Sequence, residues 1–237
     1  MNSTQQSYSD LKSSFVRYCR KNGVKTVMFV GGSSGDGVST TALGFSRALA
    51  AGSPGGVVLI NANLRSPLPY RDSHLNAASN KSNLVDILLW GKQASPVKIE
   101  NSNLYFIPSG DSCSSPQAMF EDDQLCQPMD DMTLHVGNDD YGDVPRSGFC
   151  HLMDDLTSRF DYVVLDAPPV LSAPESLCIA ANVDVVVLVL KSGETRREIA
   201  RKTIEKIEEA EGKVIGIVLN RRKYYIPERM YKFFFGQ

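Results

Sequence analysis

The stretch Gly31–Thr41 reads "GGSSGDGVSTT". An apolar run, "VKTVMFV" (24–30), precedes it, and a helix-like run, "ALGFSRALAAG" (42–52), follows it. A strand, then G-x-x-x-x-G-K-[ST], then a helix is the pattern of a phosphate cradle. Here the eight positions are Gly32, Ser33, Ser34, Gly35, Asp36, Gly37, Val38 and Ser39, with Thr40 next. The glycines permit positive φ and a bare backbone, so successive N–H groups can face one concavity. The positive end of the following helix adds to that field. Ser39 stands where a Mg²⁺-ligating hydroxyl belongs. Val38 stands where the pattern has lysine. Two readings follow: a nucleotide cradle with weakened hold on ATP or ADP and Mg²⁺, or a Gly/Ser-rich turn with no ligand. A lysine beside phosphate is worth about 4 kcal/mol per close charge pair at an effective dielectric of about 20, less its desolvation. The same ammonium stabilises the phosphoryl group in transfer, so its loss bears on catalysis more than on binding.

Outward from this loop the chain alternates strand and helix. Apolar runs at 24–30, 57–61, 104–108, 161–166, 183–190 and 213–220 read as strands. Several are near-continuous Val/Ile/Leu without polar alternation, the mark of parallel strands covered on both faces. Helical patterns fall at 7–22, 39–51, 82–91, 148–160 and 193–212. The expected fold is α/β: a doubly wound, mainly parallel sheet flanked by helices, of the P-loop NTPase-like type, in a single domain. An N-terminal helical segment (1–23) leads into that domain (24–237). Residues 121–147 interrupt the pattern. From Glu121 to Pro145 they hold eight Asp or Glu and no Lys or Arg, which reads as an exposed acidic loop insertion.

Composition narrows the partners. A net charge of −2 gives no global attraction to nucleic acid or to a membrane. No apolar run reaches the roughly 18 residues that span a bilayer. The polar start, "MNSTQQSYSDLKSS", has no signal-peptide core, which predicts a cytoplasmic protein. Five cysteines and three histidines are scattered without metal-ligand spacing, so neither a disulfide framework nor a zinc site is expected.

Two further motifs end strands. "INANLRSP" (60–67) follows the second and "LDAPPVL" (165–171) the fourth, at carboxyl ends where open α/β sheets bind ligands. Asp166 ends a Val/Val/Leu run; an acid there needs a cation or an N–H. It is a candidate Mg²⁺ ligand beside Ser39, or a helix cap.

The ordered set "GGSSGDGVSTT", "VVLINANLRSP", "NLVDILLWG", "NLYFIPSG", "FDYVVLDAPPVL" and "VIGIVLNRRKYYIPERMYKFF" resembles the bacterial tyrosine kinases of capsule and exopolysaccharide synthesis. These belong to the deviant P-loop class that includes septum-site and partition ATPases. The resemblance runs from about Tyr8 onward, apart from the acidic loop. It implies a polysaccharide co-polymerase, a chain-length-determinant membrane protein, as partner. It also implies a peripheral place at the inner membrane, a homo-oligomer and no nucleic acid. The family's first motif ends G-K-[ST], where this chain has Val38. Its second reads roughly I-D-A-D-L-R-x-P, where this chain has Asn61 and Asn63. Only Asp166 keeps its acid. Asn cannot take a proton at neutral pH and is a weak ligand for a hard cation. The resemblance therefore implies a degenerate member, a pseudokinase, with an active ATP-dependent tyrosine autokinase as the alternative. In that alternative Arg65, Arg221 or Arg222 would supply the cation. The family position matching Asn220 reads the adenine edge; a strand-end cap is the other reading. Tyr224, Tyr225 and Tyr231 match a tail phosphorylated by a neighbouring subunit. Alternatively Ile226, Met230, Phe233 and Phe234 form a last amphipathic helix that docks on the sheet or a partner. The amino-terminal helix resembles the family's ring-assembly segment, with Ser7 in place of its glutamate.

Overall fold

The computed structural model describes residues 3–65, 83–99, 101–110, 116–120 and 148–221. The acidic stretch 121–147, Arg222 and Tyr224, Tyr225 and Tyr231 lie outside the described residues.

In chain order the elements are α1 (Ser3–Asn22), β1 (Thr26–Gly31), α2 (Val38–Ala50), β2 (Val57–Asn61), α3 (Leu84–Trp90), β3 (Val97–Lys98) and β4 (Leu104–Ile107). A 3₁₀ turn (Gln117–Met119), α4 (Gly148–Arg159), β5 (Tyr162–Asp166), α5 (Glu175–Ala181), β6 (Val185–Lys191), α6 (Arg197–Glu209) and β7 (Val214–Asn220) complete the set. The strands form one sheet in the order β3-β4-β2-β5-β1-β6-β7. Every pairing is parallel except β3 with β4. The six expected strands are present to within about two residues. Three elements were not expected: the two-residue edge strand β3, the 3₁₀ turn and the seven-residue helix α5. Among the described residues no helix is long and apolar enough to cross a membrane.

Alternation along each strand sends side chains to opposite faces. Met28, Val30, Val163, Leu165, Val186 and Leu188 face α3–α6 on one side. Val27, Phe29, Val164, Val185, Val187 and Val189 face α1 and α2 on the other. All twelve are buried, which is why these runs lack polar alternation. Phe15 of α1 meets Phe45 of α2 edge-on, ring centres 5.1 Å apart, and fixes α1 on the sheet's outer layer. A pair of this geometry adds about 0.5–1.5 kcal/mol beyond its buried area. Tyr8 lies against Gly44, whose missing side chain makes room for the ring. Burial raises the Tyr8 phenol above its ordinary range, with a hydrogen bond from Thr41 opposing the shift.

Candidate functional site

The sheet order brings the three motifs together. β5 lies between β1 and β2, in register so that Asp166 pairs with Phe29 on one side and Asn61 on the other. The loop after β1, the Asn61–Asn63 turn and Asp166 therefore share one carboxyl-terminal edge. The backbone ties them further: Ala62 N–H donates to Asp166 O (2.9 Å) and Val170 N–H to Gly31 O (3.1 Å). Ser109 arrives from the end of β4, two strands away from β5.

The loop has the backbone of a cradle. Gly35 and Gly37 have φ of 87° and 88°, in the left-handed region that disfavours a side chain. Gly37 caps α2 in that conformation. Ser33, Ser34, Gly35, Ser39 and Thr40 are exposed, so the loop rim and the first turn of α2 face outward together. Gly32 is needed for a different reason: a Cβ there would press on Thr203 Oγ1 (2.8 Å) and Ile199 Cγ2 (2.9 Å) of α6.

Asp36 does not join that rim. Its carboxylate is buried and turned inward, accepting from Ser33 N–H (3.0 Å), Thr195 Oγ1 (2.8 Å) and Lys191 N–H (3.3 Å). Asn220 holds the same loop from β7: its Nδ2 donates to Asp36 O (3.0 Å) while its Oδ1 accepts from Arg221 N–H (2.8 Å). The ends of β6 and β7 thus fasten the loop. Gly37 is where this fastening is tightest, because a Cβ there would collide with Asn220 Nδ2. Gly37→Ala is expected to lower stability by about 1–3 kcal/mol, combining a strained positive φ with that clash. A urea titration of the two chains checks it, and an unchanged midpoint would contradict the fastening.

Val38 is buried at the base of the loop, 9% exposed, and its Cγ2 would lie 3.1 Å from a Cβ placed on Gly31. It belongs to the apolar layer under α2 that includes Phe29, Ala42 and Phe45. Asn61 is buried as well. Its Nδ2 donates to Ser109 Oγ (3.4 Å) and its Oδ1 accepts from Asn63 N–H (3.2 Å). Arg65 is committed elsewhere: its guanidinium grips the fully buried Glu175 through two bonds of 2.6 and 2.9 Å. That pair ties the second motif to α5. Lys191 forms an ion pair with Glu194. The sequence reading did not single out Ser109, Lys191, Thr195 or Glu175. "PSG" and the start of "GETRRE" were visible, but nothing local marked them as partners of Asn61 and Asp36.

A nucleotide phosphate fits the main-chain half of this site, since α2's free N–H groups and the two left-handed glycines lie behind an exposed rim. A divalent cation finds less. Among the described residues no group of three or more His, Cys, Asp or Glu could hold a metal. Ser39 and Asp166 are the oxygen donors the motifs supply, and the Asn61 oxygen is engaged by Asn63.

No protein-family profile matches the chain. Curated proteins do. The tyrosine-protein kinase CpsD of Streptococcus agalactiae is 32% identical over 73 residues, 31% of this chain and 32% of that protein. The tyrosine-protein kinase YwqD of Bacillus subtilis is 25% identical over 203 residues, 84% of this chain and 73% of that one. The chain is similar to bacterial tyrosine kinases. Its match to the first of these relatives spans about a third of their length, and to YwqD nearly three quarters. The kinase domain of VpsO superposes with a TM-score of 0.69 at 24% identity, covering 92% of this chain and 96% of that domain. At such identity the likeness speaks for the fold: a P-loop sheet with flanking helices. A more distant neighbour is the cobyrinic acid a,c-diamide synthase of Mycobacterium smegmatis, solved with ADP and magnesium. Its TM-score is 0.59 at 17% identity, covering 84% of this chain and 76% of that one. Nucleotide-bound proteins therefore share the fold.

Proposed function

We propose that this chain is a degenerate tyrosine-kinase-like P-loop protein that regulates or scaffolds exopolysaccharide or capsule synthesis. It acts from the cytoplasmic side of the inner membrane through a chain-length-determinant co-polymerase. It holds ATP or ADP weakly by the loop's main chain and transfers no phosphoryl group at a useful rate. The helical segment 1–23 works as one unit with the domain 24–237, since α1 packs directly on α2.

The observation that carries this reading is Val38. The position where the motif has a cation holds a branched apolar group, packed beneath the loop. Two amides, Asn61 and Asn63, stand in the same site where relatives of the resembled family carry acids. Transfer of a phosphoryl group rests on positioning and on charge placed around the transferred oxygens. A site that lacks one cation and two carboxylates lacks the means for both metal placement and charge stabilisation. Of the substitutes named from sequence, Arg65 is held by Glu175 and Arg221 is exposed beyond the end of β7, while Arg222 lies outside the described residues.

The test is a phosphotyrosine blot after incubating the purified chain with labelled ATP and Mg²⁺. We expect background labelling. Strong labelling of Tyr224, Tyr225 or Tyr231 would establish the autokinase alternative.

A further inference from the structure

The proposed function leaves one cation beside the phosphate loop without a role. Lys191 ends β6, the strand next to β1. Its main chain helps to fasten the loop: the Lys191 N–H donates to Asp36 Oδ1 (3.3 Å) and to Thr195 Oγ1 (3.0 Å). The other Asp36 oxygen accepts from Ser33 N–H (3.0 Å) on the loop itself. One carboxylate therefore bridges Lys191 and Ser33, and a carboxylate is narrower than a lysine side chain is long.

Asn220 shows where a side chain at this register position points. Lys191 and Asn220 are neighbours across β6 and β7, so their side chains leave the sheet on the same face. Asn220, on the edge strand, reaches Asp36 O (3.0 Å), and its amide lies against Gly37, the N-cap of α2. Lys191 starts one strand closer to β1 and has the longer side chain. Its ammonium can therefore reach the cap of α2, where the first N–H groups of the helix lack partners within it. That is the neighbourhood of Val38, where the motif's own lysine is missing.

In the empty site the ammonium pairs with Glu194, three residues further on. The two side chains are 24% and 62% exposed, and a pair so open to water is weak. The positive end of α2 disfavours a second cation until an anion arrives. A phosphate in the cradle then offers the ammonium a stronger, charge-assisted partner. We propose that Lys191 is the cation of the phosphate site, passed from Glu194 to the anion when a nucleotide enters. This rests on the reading of the loop as a nucleotide cradle, and it adds which phosphates are gripped. β6 and β5 flank β1 on opposite sides, and Asn61 and Asp166 lie on the β5 side. Lys191 stands across the loop from them, so it holds phosphates that stay bound and not one in transfer. A chain with this cation and without the acids is suited to keep a nucleoside diphosphate as a ligand.

Calorimetry of the full chain with ADP and with inorganic pyrophosphate tests this. Lys191→Met should weaken both by about tenfold or more, the worth of one charge-assisted hydrogen bond. The variant keeps the loop's fastening, because Asp36 is held by the main chain of Lys191. Lys191→Arg should restore most of the affinity. Glu194→Gln should bind both anions about two- to fivefold tighter, since an exposed ion pair no longer competes. Parent-chain binding that Lys191→Met leaves unchanged would overturn the assignment of Lys191 alone. So would a loss that Lys191→Arg fails to recover, or a Glu194→Gln chain that binds no tighter. No binding of either anion by the parent chain would overturn the assignment and the nucleotide reading together.

Discussion

Val38→Lys should raise the affinity for ADP by roughly 10- to 100-fold in calorimetry, while leaving autophosphorylation at background. The expected gain follows from about 4 kcal/mol for one close charge pair at an effective dielectric of about 20, reduced to roughly 1.5–3 kcal/mol by the cost of desolvating the ammonium. Each 1.4 kcal/mol is a factor of ten. The new side chain starts in the layer under α2, where Val38 is 9% exposed, and can run its methylene stem along that layer toward the loop. Losing the buried valine should reduce stability by about 1–2 kcal/mol. Phosphoryl transfer needs more. Asn61→Asp and Asn63→Asp must be added before a metal has carboxylates to bind, and the triple variant is the chain expected to label its own tyrosines. If the single change leaves ADP binding untouched, the loop is not a phosphate cradle and the nucleotide part of the proposal fails. If the wild type labels strongly, the cradle has a cation from another source and the degenerate reading fails separately.

What the sequence disclosed follows from how each feature is encoded. The six long strands were legible because burial on both faces demands unbroken apolar runs, and "VVVLVL" can hardly be anything else. The loop was legible because its glycines recur at fixed spacing before a helix. β3 was not, because two residues of "PVKIE" carry no period. α5 was not, because seven residues give two turns, and "ESLCIAA" reads equally as a linker. The site shows the same division. Asp36 looked like one more loop residue, yet its carboxylate binds Lys191 N–H and Thr195 Oγ1, more than 150 residues further along. Asn220 was singled out as a reader of adenine or a cap on a turn, and its amide lies on the Asp36 carbonyl. Local chemistry announces which residues are unusual. Which partner satisfies them is a property of the strand order, and strand order is not written locally. Arg65 illustrates the cost of this: it stood in the right motif to replace a missing cation, and its charge is committed to a helix that sequence did not predict.

That commitment predicts the largest stability effect in the chain. Glu175 is fully buried and accepts both bonds from Arg65, which is itself partly exposed. Removing the guanidinium by Arg65→Ala strands a carboxylate in an apolar layer with Ile179 and Ala180 close in sequence. The expected loss is about 3–5 kcal/mol in urea denaturation, a large part of a typical domain's stability. Glu175→Gln should cost less, because the buried group left behind is neutral and the remaining charge can reach water. The double change Arg65→Met with Glu175→Leu should recover most of the loss, since an ion pair and an apolar pair of similar volume are often close in stability. The order of the three variants is the informative result. Were Arg65→Ala no worse than Glu175→Gln, the buried acid would be satisfied by other groups and the pair would be incidental. The expected order instead makes the Arg65–Glu175 pair a tether: it anchors the turn after Asn61 and Asn63 to α5. In the proposed regulator that tether keeps the second motif in place against the phosphate loop, although its acids are gone. Arg65→Met with Glu175→Leu, stable but untethered, should then bind ADP less tightly than the parent chain.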